Sequence, residues 1–322
     1  MSRAASLLPF LSVATGIGTF SVMDALMKIA SIEGGVYSAL LLRSLLGTLL
    51  MLPIWAQRRG RWPLRPVLRI HALRSAVVAM MAGLFFWGLV RLPMAEAMAL
   101  SFIAPLIALF LAAVLLGERI RRSAIGASLL GLAGVAVIAA ARFGEGGDLG
   151  NAGPGVIAVL LSAVFYAWNL VLQRQQAQVS SPVEVALFQN VFMALYLGAG
   201  VICLAAMTQL PAISALATDA LGAAIPGEPS AALLRAVAGS AVLAAVSLML
   251  LSWGYARAEA QALVPLEYTA FVWAALTGWF WFGEPVTTRT IAGTALIVLG
   301  CWIATRRTGE PHVPAANLPP AP

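Results

Sequence analysis

The stretch RLPMAEAMALSFIAPLIALFLAAVLLGERIRRSAIGASLLGLAG at residues 91–134 is followed 166 positions later by a similar stretch, RAEAQALVPLEYTAFVWAALTGWFWFGEPVTTRTIAGTALIVLG, at residues 257–300. The two stretches align without a gap, and Gly117-Glu118 coincides with Gly283-Glu284. Other positions that are identical in the second copy are Arg91, Leu100, Ala104, Ala108, Ile125, Leu130 and Gly134. The second half of the chain therefore repeats the first.

The composition is that of a membrane protein. Of the 322 residues, 61% are hydrophobic and 10% are charged, and the mean hydropathy is +0.91, whereas soluble domains carry about 25% charged residues. Several apolar stretches reach the length of roughly 20 residues that a helix needs to cross a bilayer. We predict an all-α integral membrane protein with ten transmembrane helices, at residues 7–30, 36–56, 71–91, 94–116, 123–141, 154–176, 184–208, 234–256, 260–282 and 288–305.

The repeat also predicts the domain organisation. We place repeat 1 at residues 7–141, a polar, glycine-rich linker at 142–153, repeat 2 at 154–305 and a disordered, proline-rich cytoplasmic tail at 306–322. Because each repeat has five spans, an odd number, the second repeat enters the membrane from the side opposite to the first. Two inverted five-helix repeats are typical of secondary transporters.

The basic residues predict the orientation. If the N-terminus is cytoplasmic, fourteen of the twenty Lys and Arg residues lie on the cytoplasmic side, five lie on the other side and Arg43 lies within a span. Cytoplasmic loops carry the excess of positive charge in membrane proteins. We therefore predict a multi-pass protein of a bacterial-type inner membrane with both termini in the cytoplasm. The net charge of +7 reflects this bias, and we expect no nucleic-acid partner.

Few residues suit catalysis or metal binding. The two histidines, His71 and His312, are far apart in sequence, and the two cysteines, Cys203 and Cys301, lie in apolar segments; neither pair has the spacing of a metal site. Lys28 is the single lysine and does not belong to an ATP-binding GxxxxGK[ST] loop. We expect no catalytic residue, no metal and no cofactor. A membrane-embedded enzyme and a channel are the alternatives from other classes.

The motifs of both halves resemble those of the EamA-type transporters of the drug/metabolite transporter superfamily. The motifs that carry the resemblance are AEAMALSFIAPL at 95–106, LGER at 116–119, FGEP at 282–285, Lys28 and Arg43. The resemblance implies ten helices in two inverted repeats. It also implies a central substrate cavity lined by spans 3, 4, 8 and 9, with parts of spans 1, 2, 6 and 7.

Two charged side chains are expected in the external half of the first repeat. Asp24 lies near the external end of span 1, and Arg43 lies about two turns into span 2 from the same side. A charge inside the membrane requires a partner or a water-filled cavity. Either Asp24 and Arg43 form a permanent ion pair between two spans, or Arg43 binds an anionic group of the substrate, such as a carboxylate. For Lys28 we expect an ammonium group that extends to the interface.

The second repeat carries amides near the matching positions. Asn169 corresponds to Asp24, and Gln189 or Asn190 corresponds to Arg43. The inversion places these amides in the cytoplasmic half. The sequence thus predicts a charged external chamber and a neutral, amide-lined cytoplasmic chamber.

Glu267 is a further candidate for substrate binding. It follows Pro265 in span 9, and its counterpart in the first repeat is Ser101. A proline can bend a helix and open backbone carbonyls to a cavity. We expect Glu267 to bind a substrate amine or sulfonium or to carry a coupling proton; the alternative is a protonated glutamate with a structural role.

Aromatic residues can stack on a flat or cationic ligand. The candidates are Trp87, Tyr166, Trp168, Tyr255, Tyr268 and Trp273. Among the remaining acidic residues, we expect Glu96 at the external interface and Glu118 and Glu284 in structural roles at loops.

The function predicted from these features is secondary transport of a small organic metabolite across the inner membrane by alternating access. DALMK at 24–28, LRS at 73–75 and Glu267-Tyr268 are most similar to the S-adenosylmethionine uptake group, which implies an amino acid or a zwitterion like S-adenosylmethionine. The alternative is export of drugs or of metabolites such as riboflavin.

The expected partners are the substrate and membrane lipid. Gly126, Gly131 and Gly134 in span 5 permit close helix approach, within the chain by default or in a dimer. We accordingly expect a monomer or a weak homodimer.

Overall fold

The computed structural model describes residues 3–58, 62–104, 107, 122–143, 149–177, 179–209, 214, 229–255, 266 and 269–306. Within these residues the chain forms ten α-helices. They are α1 (Arg3–Gly34), α2 (Val36–Gln57), α3 (Arg65–Leu89), α4 (Met94–Ser101), α5 (Arg122–Phe143), α6 (Leu149–Ala177), α7 (Pro182–Met207), α8 (Ala231–Tyr255), α9 (Thr269–Phe282) and α10 (Thr288–Arg306). Each helix overlaps one of the ten predicted spans.

Half of these helices have the length and apolar composition of a complete membrane span. Among the described residues, the five such segments are Leu8–Gly34, Val36–Gln57, Arg65–Leu89, Pro182–Met207 and Ala231–Leu251. Four shorter apolar segments lie in the remaining helices, at Leu129–Ile138, Gly153–Asn169, Thr269–Phe282 and Thr288–Gly300. The helices α5 and α6 extend from both sides into the linker predicted at 142–153.

The helices pair across the two halves in a symmetric pattern. Helix α1 packs against α8 and α9, and its counterpart α6 packs against α3 and α4. Helix α2 packs against its own counterpart α7, and α5 packs against its counterpart α10. The main hydrophobic core draws on both halves, with Met27 and Leu100 from the first and Met193 and Ile297 from the second. The repeat seen in the sequence therefore reappears in the packing, because corresponding helices of the two halves make corresponding contacts with the other half.

The two ends of the bundle hold different connections. We call the end at which Gly35 joins α1 to α2 the hairpin end; residues 90–93 and 283–287 also lie there. Residues 58, 62–64 and 179–181 lie at the opposite end. At the opposite end Ser181 caps α7, because its Oγ accepts a hydrogen bond from the Glu184 amide (3.3 Å) in a Ser-x-x-Glu arrangement typical of helix starts.

Helix α4 ends at Ser101, within the span predicted at 94–116. The amides of Phe102 and Ile103 donate to carbonyls three residues earlier, those of Ala99 and Leu100 (3.2 and 3.3 Å), instead of four residues earlier as in an α-helix. The Ile107 amide again donates to the carbonyl four residues earlier, that of Ile103. Pro105 has no N–H to donate to the carbonyl four residues earlier, which favours an interruption here. The rest of the predicted span, including Glu118, lies outside the described residues.

Glycines bring α5 and α10 into close contact. A Cβ added to Gly134 would lie 2.5 Å from the Gly293 carbonyl oxygen, and one added to Gly293 would lie 2.7 Å from the Gly134 carbonyl oxygen. Packing within the chain, the default expectation for this helix, is therefore confirmed at Gly134. Gly126 has nothing within 4 Å of such a Cβ and takes no part in the crossing.

Candidate functional site

The first polar feature is a charged pair, Asp24 on α1 and Arg43 on α2. At 1.5 Å per helical residue, they lie about 16 and 12 Å from Gly35, which is close to the middle of a bilayer core of about 30 Å. Asp24 is 7% exposed, and the charges of the two groups interact. The pair nevertheless does not close into a salt bridge within 4.0 Å. The Nε of Arg43 is buried and has no hydrogen-bond partner among the described residues.

The second feature, which we call the lysine site, lies nearer the hairpin end. Lys28 is 3% exposed, forms an ion pair with Glu284, donates to the Leu92 carbonyl (2.8 Å) and lies 4.8 Å from the centre of the Phe282 ring. Glu284 also accepts from the Met94 amide at the start of α4 (2.7 Å). The prediction that Lys28 extends to the interface is wrong, because a carboxylate and a free carbonyl satisfy its ammonium group inside the bundle.

The turn after α9 aims Glu284 at these partners. Gly283 has a φ of +62°, a left-handed conformation that glycine adopts at little cost, and the Glu284 amide then bonds back to the Gly278 carbonyl (3.2 Å). A Cβ at Gly278 would lie 2.7 Å from the Glu284 Oε2, so the small residue leaves room for the carboxylate. A structural role at this connection stays the prediction for Glu284. Glu96, expected at the interface, is instead 3% exposed and accepts from Thr290 Oγ1 (3.2 Å).

The third feature, the arginine cluster, lies toward the opposite end. It consists of His71 and Arg74 on α3, Asn169 and Gln176 on α6, and Glu184 on α7. Arg74 Nε donates to Asn169 Oδ1 (2.9 Å), and Arg74 Nη1 donates to Gln176 Oε1 (2.6 Å). His71 Nδ1 meets Gln176 Nε2 at 2.5 Å, and His71 Nε2 meets Glu184 Oε1 at 3.2 Å. All but Glu184 are buried, with exposures between 0% and 7%.

The arginine cluster overturns the prediction of a neutral chamber at this end. Asn169 is present as predicted, but it binds the charged Arg74. The charge count assigns Arg74, at the start of the predicted span 71–91, to the fourteen basic residues of the cytoplasmic side and gives it no part in a site. The missed signal is spacing: His71, Arg74, Ser75 and Val78 recur at i, i+3, i+4 and i+7, all are buried, and this spacing marks one helix face.

The other predicted site residues are scattered. Ser101 Oγ bonds to the Ala97 carbonyl (2.9 Å), Tyr166 packs against the main core, and Gln189 is partly buried on α7. Its neighbour Asn190 lies against Gly47, one turn beyond Arg43 on α2.

Two of the aromatic candidates contact other parts of this chain. Trp87 is 37% exposed and stacks under the Arg91 guanidinium, 3.5 Å from the ring centre. Trp273, 38% exposed, lies against Gly18 of α1. Glu267, Tyr268 and the side chain of Tyr255 lie outside the described residues. Within the described part of the chain, no group of three or more His, Cys, Asp or Glu side chains is placed to hold a metal.

Comparison with known sequences identifies the family. The sequence profile of the EamA-like transporter family matches residues 7–140 and 153–306. The chain belongs to this family. It is therefore a membrane transporter of the drug/metabolite transporter superfamily, carries a small-molecule substrate and is not an enzyme. The prediction of a ten-helix, all-α membrane protein is confirmed.

Several relatives of this EamA-family protein are exporters. It is 28% identical to the pseudopaline exporter CntI of Pseudomonas aeruginosa over 290 residues, 90% of this chain and 93% of the relative. It is 26% identical to an uncharacterized transporter of Helicobacter pylori over 284 residues, 87% and 88% of the two chains. A shorter match, 36% over 101 residues, links 31% of this chain to 34% of the aromatic amino acid exporter YddG of Ancylobacter novellus.

The fold has a counterpart among solved structures. One crystal structure matches 96% of this chain and 100% of its own with a TM-score of 0.56 and 22% identity. At this identity the likeness concerns the fold alone.

Proposed function

We propose that the protein exports an amino-acid-like zwitterion by alternating access, with Arg43 binding the carboxylate of the substrate and Asp24 binding its ammonium group. The observation that carries the proposal is the open charged pair. The Nε donor of Arg43 is buried and unused, which is costly, because a lost hydrogen bond to a buried polar group costs about 1–3 kcal/mol and more for a charged group. A ligand carboxylate would supply the missing acceptor.

The lysine site shows the contrast with a closed ion pair. Lys28 and Glu284 meet directly, and each has a further hydrogen-bond partner. Asp24 is buried and Arg43 is partly buried, with its Nε atom out of contact with solvent, yet the two groups stay apart. This difference supports a ligand-binding role over the alternative, a permanent ion pair between α1 and α2.

The relatives support export as the direction of transport. Two of the similar proteins are an exporter of pseudopaline and an exporter of aromatic amino acids, so we infer export. S-adenosylmethionine, implied by the sequence motifs at 24–28 and 73–75, carries the same amino-acid group together with a sulfonium, and Glu267, which precedes α9 in the sequence, is then the candidate for binding that second cation. We further propose an inner-membrane location with both termini in the cytoplasm.

Transport in proteoliposomes tests the site. A thermal-shift screen against amino acids, S-adenosylmethionine and riboflavin selects the probe, since a ligand that binds the folded state stabilises it. We expect saturable counterflow of an amino-acid-like probe. Charge-assisted hydrogen bonds contribute about 1.5–3 kcal/mol, so Arg43→Gln should weaken binding about 10- to 150-fold, and Arg43→Lys should retain part of the affinity.

Arg235→Gln is the matched control. Arg235 is exposed on α8 and bonds to its own helix backbone, so its loss should leave affinity unchanged. Wild-type affinity and counterflow in the Arg43→Gln variant would contradict the proposed site. A flux that rises linearly with concentration without saturation would favour a channel.

A further inference from the structure

The hydrogen bonds of the arginine cluster have a fixed direction. Arginine has donors and no acceptor, so the atoms of Asn169 and Gln176 that face Arg74 must be their carbonyl oxygens. The Gln176 Nε2 therefore faces His71 Nδ1 as a donor. It follows that Nδ1 is an acceptor and carries no proton. The ring proton must lie on Nε2, from which it is donated to Glu184 Oε1.

A proton on His71 Nδ1 would be incompatible with this arrangement of donors and acceptors. With both ring nitrogens acting as donors, the Gln176 amide would have to turn so that its oxygen faces His71. Its NH₂ group would then face Arg74 Nη1, which places donor against donor. Arg74 would keep Asn169 as an acceptor and lose Gln176. Protonation of His71 thus frees one donor of a buried guanidinium.

The charges around His71 also indicate that protonation of the ring favours binding of an anion. The charged groups that act on His71 are Glu184 from α7 and Arg74 from its own helix. Helix α6 contributes the neutral Gln176, the connection to α7 contributes the Ser180 hydroxyl at 3.2 Å, and the Phe188 ring stacks on the imidazole at 5.2 Å. With a neutral imidazole, the positive and negative charges cancel. A proton leaves one positive charge in excess in a buried site, and one carboxylate would neutralise it.

We propose that the arginine cluster is a second carboxylate site, in which a proton on His71 Nδ1 frees a donor of Arg74 and Arg74 then binds the carboxylate. The proton comes from water at the opposite end of the bundle and joins the lone pair of Nδ1; it leaves to the same side when the carboxylate departs. This inference rests on the proposed function in one respect: it takes the bound carboxylate to be that of the transported substrate. Substrate would then meet Arg74 before or after it meets Arg43.

The test is nitrogen NMR of the full chain labelled in histidine and reconstituted in lipid nanodiscs. His312→Gln removes the second of the two histidines, so one imidazole remains. At neutral pH we expect a bare Nδ1 and a protonated Nε2. Benzoate serves as the carboxylate probe, and it should raise the midpoint pH of the ring titration by about one unit, which corresponds to about tenfold tighter benzoate binding to the protonated form.

Two variants separate this site from the charged pair. Arg74→Gln should abolish the benzoate effect, and Arg74→Lys should reduce it. Arg43→Gln should leave it intact, because the effect arises at the arginine cluster. A proton on Nδ1 at neutral pH, a midpoint that benzoate does not move, or an effect that is lost in Arg43→Gln would each overturn the proposal. None of these results depends on whether the protein transports amino acids, which the Arg43→Gln counterflow measurement decides.

Discussion

Replacing Glu284 by glutamine tests whether the lysine site holds the two halves together. The change removes the charge but keeps the shape and an amide oxygen that can accept from the Met94 amide. Lys28, at 3% exposure, would keep the Leu92 carbonyl and the Phe282 ring and lose its counter-ion. The buried ammonium group would then carry an uncompensated charge.

The magnitude follows from these contacts. Removing one partner of a buried ion pair costs about 3–5 kcal/mol; the Glu284 side chain is 17% exposed, which places Glu284→Gln near the lower value, about 3 kcal/mol. Lys28→Met removes the buried charge itself and leaves a carboxylate that reaches solvent, so we expect a loss of about 1–2 kcal/mol. The double variant should lose about 2 kcal/mol, which gives a coupling energy of about 2–3 kcal/mol.

The assay is the free energy of unfolding in bicelles, measured for the wild type, both single variants and the double variant. Glu33→Gln is the control, because Glu33 lies at the same end, is exposed and bonds to Ser230 (3.3 Å); it should change stability by less than about 0.5 kcal/mol. A coupling energy below about 0.5 kcal/mol would refute the argument that this ion pair joins the halves.

Two further predictions concern packing and orientation. Gly134→Val places side-chain atoms against the Gly293 carbonyl at the α5–α10 crossing and should lower the free energy of unfolding by about 1–3 kcal/mol. Gly126 is on the same helix with open space around it, so Gly126→Val should lower the free energy of unfolding by less than about 1 kcal/mol. Equal losses in the two variants would show that the crossing is not tight. A fluorescent reporter fused after residue 322 should be active in the cytoplasm, and alkaline phosphatase inserted within residues 209–230 should be active outside it; the reverse pattern would disprove the orientation drawn from the arginines.

The sequence predicts the helices well because their signals are local. Apolar length places all ten helices, and the coincidence of Gly117-Glu118 with Gly283-Glu284 predicts a two-fold relation that the packing of α1 on α8 and of α6 on α3 displays. Glycine spacing similarly predicts the close approach at Gly134. These features depend on the length, polarity or size of residues near one another in the chain.

The polar sites are harder to predict because their partners come from distant parts of the chain. Lys28 and Glu284 are 256 residues apart, and Arg74 and Asn169 are 95 residues apart. Lys28 and Arg74 each lie within a few residues of the end of a predicted span. On that basis Lys28 is expected to reach the interface, and Arg74 is counted with the basic residues of the cytoplasmic side. Both interpretations fail because the other half supplies acceptors inside the bundle.

The positions of the three polar features relative to the two halves suggest a role for each of them in alternating access. The lysine site joins α1 and α4 to the α9–α10 connection, and the arginine cluster joins α3 to α6 and α7; each therefore links one half to the other, at different ends of the bundle. The charged pair lies within the first half alone, on α1 and α2. When two halves rock about a central site, contacts between them must break at one end while those at the other end persist. A substrate held by Asp24 and Arg43 would stay bound to a single half while the lysine site and the arginine cluster open in turn.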